Sequence, residues 1–180
     1  GLPMQDVEAD LKEAARLGVG HVSAYTLQVE KGTPFALLGL KEDPEREAWA
    51  MERAEEVLGE AGLFRYEVSN FAREGEEARH NLVYWRAHEY AGIGPGAHGR
   101  LDAEGRRYAT MTEKRPEAWL TRVESLGHGI VTDDLLLPEE RADEFLLMGL
   151  RLAEGIDPAH YTALSGRTLD PGRVAMLAEH

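Results

Sequence analysis

The order in which helix and strand signals alternate constrains this chain more than any other feature. Asp6 is placed to cap a helix running to Leu17, with Val7, Leu11, Ala14 and Ala15 on one face and Gly18 where a helix commonly stops. Residues 21–29 are too apolar and too short for a second helix and read as a buried strand of a parallel sheet. Glu30-Lys31-Gly32-Thr33-Pro34 reads as a loop. Asp43-Pro44 then gives a strong helix start, a capping carboxylate followed by proline at the first helical position. Ala48, Met51, Ala54, Val57, Leu58 and Ala61 keep helical spacing from there to Gly62, and residues 64–71 form the next strand. Helix, strand, helix, strand in this order predicts βα units and an α/β fold.

The second half is less regular. Residues 72–79 are a polar loop, and residues 90–100 are glycine-dense. Residues 106–112 predict a strand paired after the turn at Asp102-Ala103-Glu104-Gly105. Pro116 opens a short helix, residues 131–137 read as a strand or a linker, and Pro138 opens a helix to Leu152 with Ala142, Phe145, Leu146 and Gly149 on one face. The last stretch reads as short helices, with loops at Gly155-Ile156-Asp157-Pro158 and Asp170-Pro171-Gly172.

Composition narrows the function classes. The chain of 180 residues carries 20 basic and 33 acidic side chains, a formal charge of −13. A chain this acidic repels phosphate backbones and anionic lipid, and its basic patches, such as Arg106-Arg107 and Lys114-Arg115, are short; nucleic acid is not an expected partner. No run approaches the roughly 18–20 apolar residues of a membrane span. There are no cysteines, so no disulfide, zinc–thiolate site, thiolate nucleophile or cysteine-held iron–sulfur cluster forms from these residues. Gly1-Leu2-Pro3 reads as a turn, and the chain is expected to begin and end inside a larger protein.

Two motifs carry chemistry. In His80-Asn81-Leu82-Val83-Tyr84-Trp85, a neutral imidazole is able to ligate haem iron or another metal, and Tyr84 and Trp85 offer flat surfaces of the kind a porphyrin packs against. Read from the residues alone, a histidine beside two aromatics is more often a packed histidine than a ligand. In Gly92-Ile93-Gly94-Pro95-Gly96-Ala97-His98-Gly99 a formal G-x-G-x-x-G runs from Gly94 to Gly99. A dinucleotide site is rejected, because Pro95 sits inside the motif and no helix pattern follows it. The glycines allow close backbone approach to a bulky ligand, or a tight bend against the chain itself. His80, His88 and His98 are spaced too widely for a standard zinc pattern. Tyr25, Gln28 and Glu30 lie at or just beyond the end of their predicted strand, where ligands sit in barrels and open sheets.

Taken in order, Gly1-Leu2-Pro3, the stretch from His21-Val22-Ser23-Ala24-Tyr25 through Gly32-Thr33-Pro34-Phe35, Tyr66-Glu67, Ser69-Asn70-Phe71-Ala72, His80-Asn81 with Tyr84-Trp85, the glycine run at 92–99, Lys114-Arg115-Pro116-Glu117-Ala118 and the helix after Glu140 resemble the radical-SAM haem chaperones, often labelled oxygen-independent coproporphyrinogen III oxidase-like proteins. The resemblance implies the later βα units of an incomplete (β/α)6 radical-SAM barrel over residues 1–130, followed by the start of a small, mainly helical C-terminal domain over 131–180. It implies a [4Fe–4S] cluster, S-adenosylmethionine and haem as cofactors, with the cluster cysteines absent from this chain; the chain alone is therefore not expected to be active. It implies His80 as ligand to the haem iron, Trp85 packing on haem, and Gln28 and the backbone at Ala97 and His98 as contacts of S-adenosylmethionine. Haem or porphyrin and haem-acceptor proteins are the implied partners, with a homodimer an open arrangement and the cytoplasm the implied compartment. The alternative activity is oxidative decarboxylation of coproporphyrinogen III.

Overall fold

A computed structural model describes residues 4–38, 43–172 and 174. The chain forms two compact units, residues 1–78 and 79–180.

In the first unit, α1 (Met4–Arg16) and α3 (Pro44–Glu60) pack on a three-stranded sheet. The helix α1 is already formed at Met4, so Asp6 lies in its first turn and is not its cap. The turn expected at residues 1–3 lies outside the described residues. Asp43 does cap α3, accepting from the Arg46 amide at 3.2 Å, with Pro44 at the first helical position. Thr33, expected in a loop, caps the short helix α2 (Pro34–Leu37). The core is built from Leu11, Ala54, Val57, Leu58, Leu63 and Phe71, with Leu58 and Phe71 fully buried.

The sheet departs from the parallel arrangement predicted from sequence. Its order is β1 (His21–Ser23), β3 (Asn70–Ala72), β2 (Phe64–Glu67), and both pairings are antiparallel. β1 and β2 do run in the same direction, as a strand–helix–strand crossover requires, but β3 is inserted between them. Residues 64–71 are thus a hairpin rather than one strand, and the cause is Glu67. Its carboxylate, 1% exposed, accepts from the Ser69 amide at 2.7 Å and from Asn70 Nδ2 at 2.5 Å, which folds the chain back at once. The short partner also shortens β1. Ser23 pairs with Asn70, Ala24 N–H donates to Ser69 O at 2.8 Å, and the hairpin then turns away, leaving residues 25–29 without a ladder.

In the second unit the strand predicted at 106–112 is present as β5 (Arg106–Thr112), paired with β4 (His98–Ala103) across a two-residue turn. Glu104 and Gly105 both have positive φ, 52° and 74°, the backbone that matches the twist of a tight hairpin. β6 (Ile130–Leu135) pairs antiparallel on the other side of β5, after α5 (Pro116–Leu126). The helix expected to reach Leu152 is α6 (Pro138–Gly149), and α7 (Pro158–Ser165) follows. Glu140 fastens the start of α6 by accepting the Leu137 amide at 2.8 Å. The helical pattern expected at the chain end lies outside the described residues.

Candidate functional site

The aromatic signature folds as α4 (Arg79–Trp85), a helix of seven residues. It closes on Ala87, whose φ of 52° is unusual for alanine, with Ala87 N–H donating to Tyr84 O at 3.0 Å and His88 N–H to Val83 O at 2.8 Å. That pairing is a Schellman closure with alanine where glycine is preferred, at a conformational cost of about 1 kcal/mol. Arg107 holds it. The side chain, read from sequence as part of a surface patch, is 6% exposed. Its guanidinium donates to the carbonyls of Ala87 and His88, both at 2.7 Å, and to Asp102 Oδ2 at 3.2 Å. The end of the signature helix is therefore tied to the β4–β5 hairpin.

Helical geometry divides the signature between faces. His80 and Tyr84, four residues apart, share a face, and Trp85 stands about 140° round the helix from His80. The His80 ring is exposed and meets Tyr84 edge-on at 6.2 Å, and Tyr84 meets Tyr90 edge-on at 4.7 Å. Burial pushes the Tyr90 phenol above its ordinary pKa; Arg100 opposes this and Glu144 adds to it. Trp85 faces the other way. Arg151 lies over its ring, 4.2 Å from the centroid, and Trp85 Nε1 is a buried donor with no acceptor among the described residues.

Trp85 also lines a cleft of about 530 Å³ in this unit, together with Arg141, Phe145, Leu152 and His160; His80 does not line it. Phe145 and His160 touch edge-on at 4.8 Å. Arg86 at the rim is held by both carboxylate oxygens of Glu154 at 2.8 Å, which keeps the Glu154 carboxyl below its ordinary pKa. Behind the cleft Arg100 and Glu144 form a half-buried ion pair at 2.6 Å, and its hydrogen bond raises the Arg100 pKa.

Of the residues assigned to S-adenosylmethionine, Gln28 falls in the first unit and Ala97 and His98 in the second. Gln28 is exposed and lies five residues past the end of β1 rather than at a strand end. Ala97 N–H donates to Thr112 Oγ1 at 2.8 Å and its carbonyl accepts from Thr112 N–H at 2.9 Å, so its peptide groups are engaged inside the fold. The His98 ring is exposed at the start of β4. For Gly92 and Gly99 the tight bend, of the two readings left open, is the one observed. A Cβ on Gly92 would stand 2.5 Å from His98 O, and one on Gly99 2.5 Å from Thr110 Oγ1. A strand and not a helix follows Gly99, in keeping with rejection of a dinucleotide site. His80, His88 and His98 form no metal-binding group among the described residues. Sequence reasoning passed over Arg141 and His160, and gave Tyr90 no role of its own. Arg107 entered only as part of the short basic patch Arg106-Arg107.

Comparison with known proteins adds a family context. The family model described as the HemN C-terminal domain matches residues 136–177. The chain is 38% identical to radical S-adenosyl methionine domain-containing protein 1, mitochondrial, of Danio rerio, over 91% of this chain and 40% of that protein. It is 32% identical to the heme chaperone HemW of Bacillus subtilis, over 94% of this chain and 46% of that one. Identity to HemW of Escherichia coli is 30%, over 92% and 44%. The chain thus spans less than half the length of each of these relatives. Among solved structures, coproporphyrinogen III oxidase (HemN) from Escherichia coli, a radical SAM enzyme, superposes with a TM-score of 0.64 at 15% identity, covering 87% of this chain and 39% of that one. That likeness fixes the fold as α/β.

Proposed function

We propose that this chain, which belongs to the radical-SAM haem chaperone family, is part of a protein that binds haem and passes it to acceptor proteins. The observation that carries the reading is the signature helix α4, which holds an exposed imidazole at His80 and a ring of aromatic surface beside it. In this reading His80 ligates the haem iron, with Tyr84 beside it on the same face, and Trp85, about 140° round the helix, packs on haem. These side chains suit the group: an imidazole nitrogen for the iron and flat apolar rings for the tetrapyrrole. The relatives named heme chaperones support it.

The rest of the reading concerns the whole protein. A [4Fe–4S] cluster and S-adenosylmethionine assist assembly or transfer. No cysteine in this chain is available to hold the cluster, so none of its residues serves as a ligand. Gln28 and the backbone near Ala97 and His98 are the contacts proposed for adenosylmethionine; with the Ala97 peptide groups engaged by Thr112, the weight falls on Gln28 and His98. Residues 1–130 belong to the barrel and 131–180 to the start of a C-terminal domain, a division supported by the family-model match from residue 136. No helix of the described residues is long and apolar enough to cross a membrane. We assign the protein to the cytoplasm, although several animal relatives are named mitochondrial.

A second reading, oxygen-independent coproporphyrinogen III oxidase, is favoured by the family of the C-terminal match. A haem titration of the full-length protein, followed by its Soret band, tests the first. Loss or shift of the band in His80→Ala, with the fold intact, is the expected result. An unchanged band frees His80 from the role, and turnover of coproporphyrinogen III by the wild type would replace the chaperone reading with the oxidase.

A further inference from the structure

The cleft beside Trp85 is lined by four carboxylates and three guanidiniums, and they are not equally engaged. Every carboxylate that lines it, or lines the small pocket adjoining it, already has a partner. Glu89 accepts the Asp102 amide at 2.9 Å, Asp102 accepts from Arg107 at 3.2 Å, and Glu154 holds Arg86. Asp157 caps α7 by accepting the Ala159 amide at 2.8 Å, and Glu144 holds Arg100. Arg141 lines both spaces, and its guanidinium has no hydrogen bond or ion pair among the described residues. The same cleft is walled by an indole whose buried N–H also lacks an acceptor. In a chain of formal charge −13, an unmatched guanidinium facing a cleft is out of keeping with its surroundings. What Arg141 lacks is an acceptor, and a carboxylate is the simplest group that supplies one together with the opposite charge.

The remaining walls indicate what such a carboxylate is attached to. Trp85, Phe145 and Leu152 present flat and branched apolar surface, and the volume, about 530 Å³, lies in the range of about 300–1,000 Å³ usual for small-molecule sites. A planar guanidinium matches a carboxylate in a two-pronged geometry that an ammonium does not reproduce.

We propose that this cleft is a carboxylate subsite for the tetrapyrrole, in which Arg141 pairs with a propionate arm while Trp85 and Phe145 pack on the apolar body. The proposal rests on the reading that a tetrapyrrole packs on Trp85. It is indifferent to which tetrapyrrole that is, since haem and coproporphyrinogen both carry propionates. It assigns Arg141, on α6, to ligand binding although it lies outside the aromatic signature, and gives the C-terminal helices a part in recognition.

The test uses the full-length protein and two probes, haem and haem with both propionates methyl-esterified. For wild type, haem should bind at least about tenfold more tightly than its ester, the size expected for one charge-assisted hydrogen-bonded pair. Arg141→Gln should weaken haem by a similar factor and leave the ester unchanged, so that the two losses do not add. Arg141→Lys keeps the charge and should retain part of the preference for haem. Equal affinity of the wild type for haem and ester overturns the proposal without any variant being needed. So does an Arg141→Gln protein that binds haem as the wild type does but melts at a lower temperature, because the cleft is then packed by the protein's own chain. If haem binding depends on His80 but ignores both esterification and Arg141, this subsite falls and the chaperone reading stands. If the wild type binds no tetrapyrrole at all, both fall.

Discussion

Replacing Arg107 with methionine keeps the unbranched stem in place and removes only the guanidinium. Two bonds of 2.7 Å run from one nitrogen to the carbonyls of Ala87 and His88, and a third of 3.2 Å runs to Asp102. A hydrogen bond from a charged donor contributes about 1.5–3 kcal/mol. The first two share a nitrogen and count for less than their sum. The side chain of Asp102 is 44% exposed, so its ion pair is discounted for solvent screening to about 0.5 kcal/mol. The net expectation is a loss of about 3 kcal/mol, well above the common range for a surface charge. Urea denaturation of the full-length protein, with Asp102→Asn and the double variant completing a cycle, measures it. Asp102→Asn should cost less than about 1 kcal/mol, and the coupling should be no larger than that. A loss below about 1 kcal/mol for Arg107→Met, with an unchanged denaturant slope, would refute the idea that this residue clamps the end of the signature helix.

Two further outcomes are expected. Gly92→Ala should destabilise by about 1–3 kcal/mol, because the new methyl meets the backbone at His98 and nothing flexible is there to yield; a melting curve that superposes on the wild type would contradict this. In the first unit, hydrogen bonds from Arg53 at 2.9 Å and Lys12 at 2.6 Å, Arg53 the larger influence, lower the Glu8 pKa from 4.5 to about 2. A carboxylate depressed in the folded state stabilises it fully above its unfolded pKa, and that contribution fades as pH falls from about 4.5 to about 2. Glu8→Gln should therefore flatten stability against pH in that window and leave the profile above pH 6 or so parallel to the wild type; an unaltered acid limb would count against the Glu8–Arg53 link between α1 and α3.

Much of the architecture was legible because proline and capping side chains mark helix starts without help from distant residues. Pro44, Pro116 and Pro138 each begin a helix as expected, and Pro158, read as part of a loop, begins α7. The strand at 106–112 was legible because the turn signal Asp102-Ala103-Glu104-Gly105 precedes it, even though Glu104, a residue that seldom takes positive φ, adopts it there beside Gly105. The antiparallel hairpin at 64–72 was not, because a buried Glu67 reads on paper as a solvated charge until Ser69 and Asn70 are seen to satisfy it. The site divides in the same way. The aromatic signature stands out in a local window, whereas Arg107 gains its meaning from the carbonyls of Ala87 and His88, about twenty residues away. The separation of His80 from Trp85 follows from helical spacing, and it was missed because the six residues were read as one patch.

The seat of Trp85 has an optical consequence. An indole whose nitrogen is shielded from water and whose face is covered by a cation emits differently from one in solvent, and a porphyrin at contact distance is an efficient acceptor of that emission. Trp49 lies on α3 and Trp119 on α5, so replacing those two with phenylalanine leaves Trp85 as the one indole of this chain, in the wall of the cleft. Under the tetrapyrrole site proposed above, arrival and departure of the ligand are then read from the emission of this indole, without a label and without relying on the colour of the pigment itself.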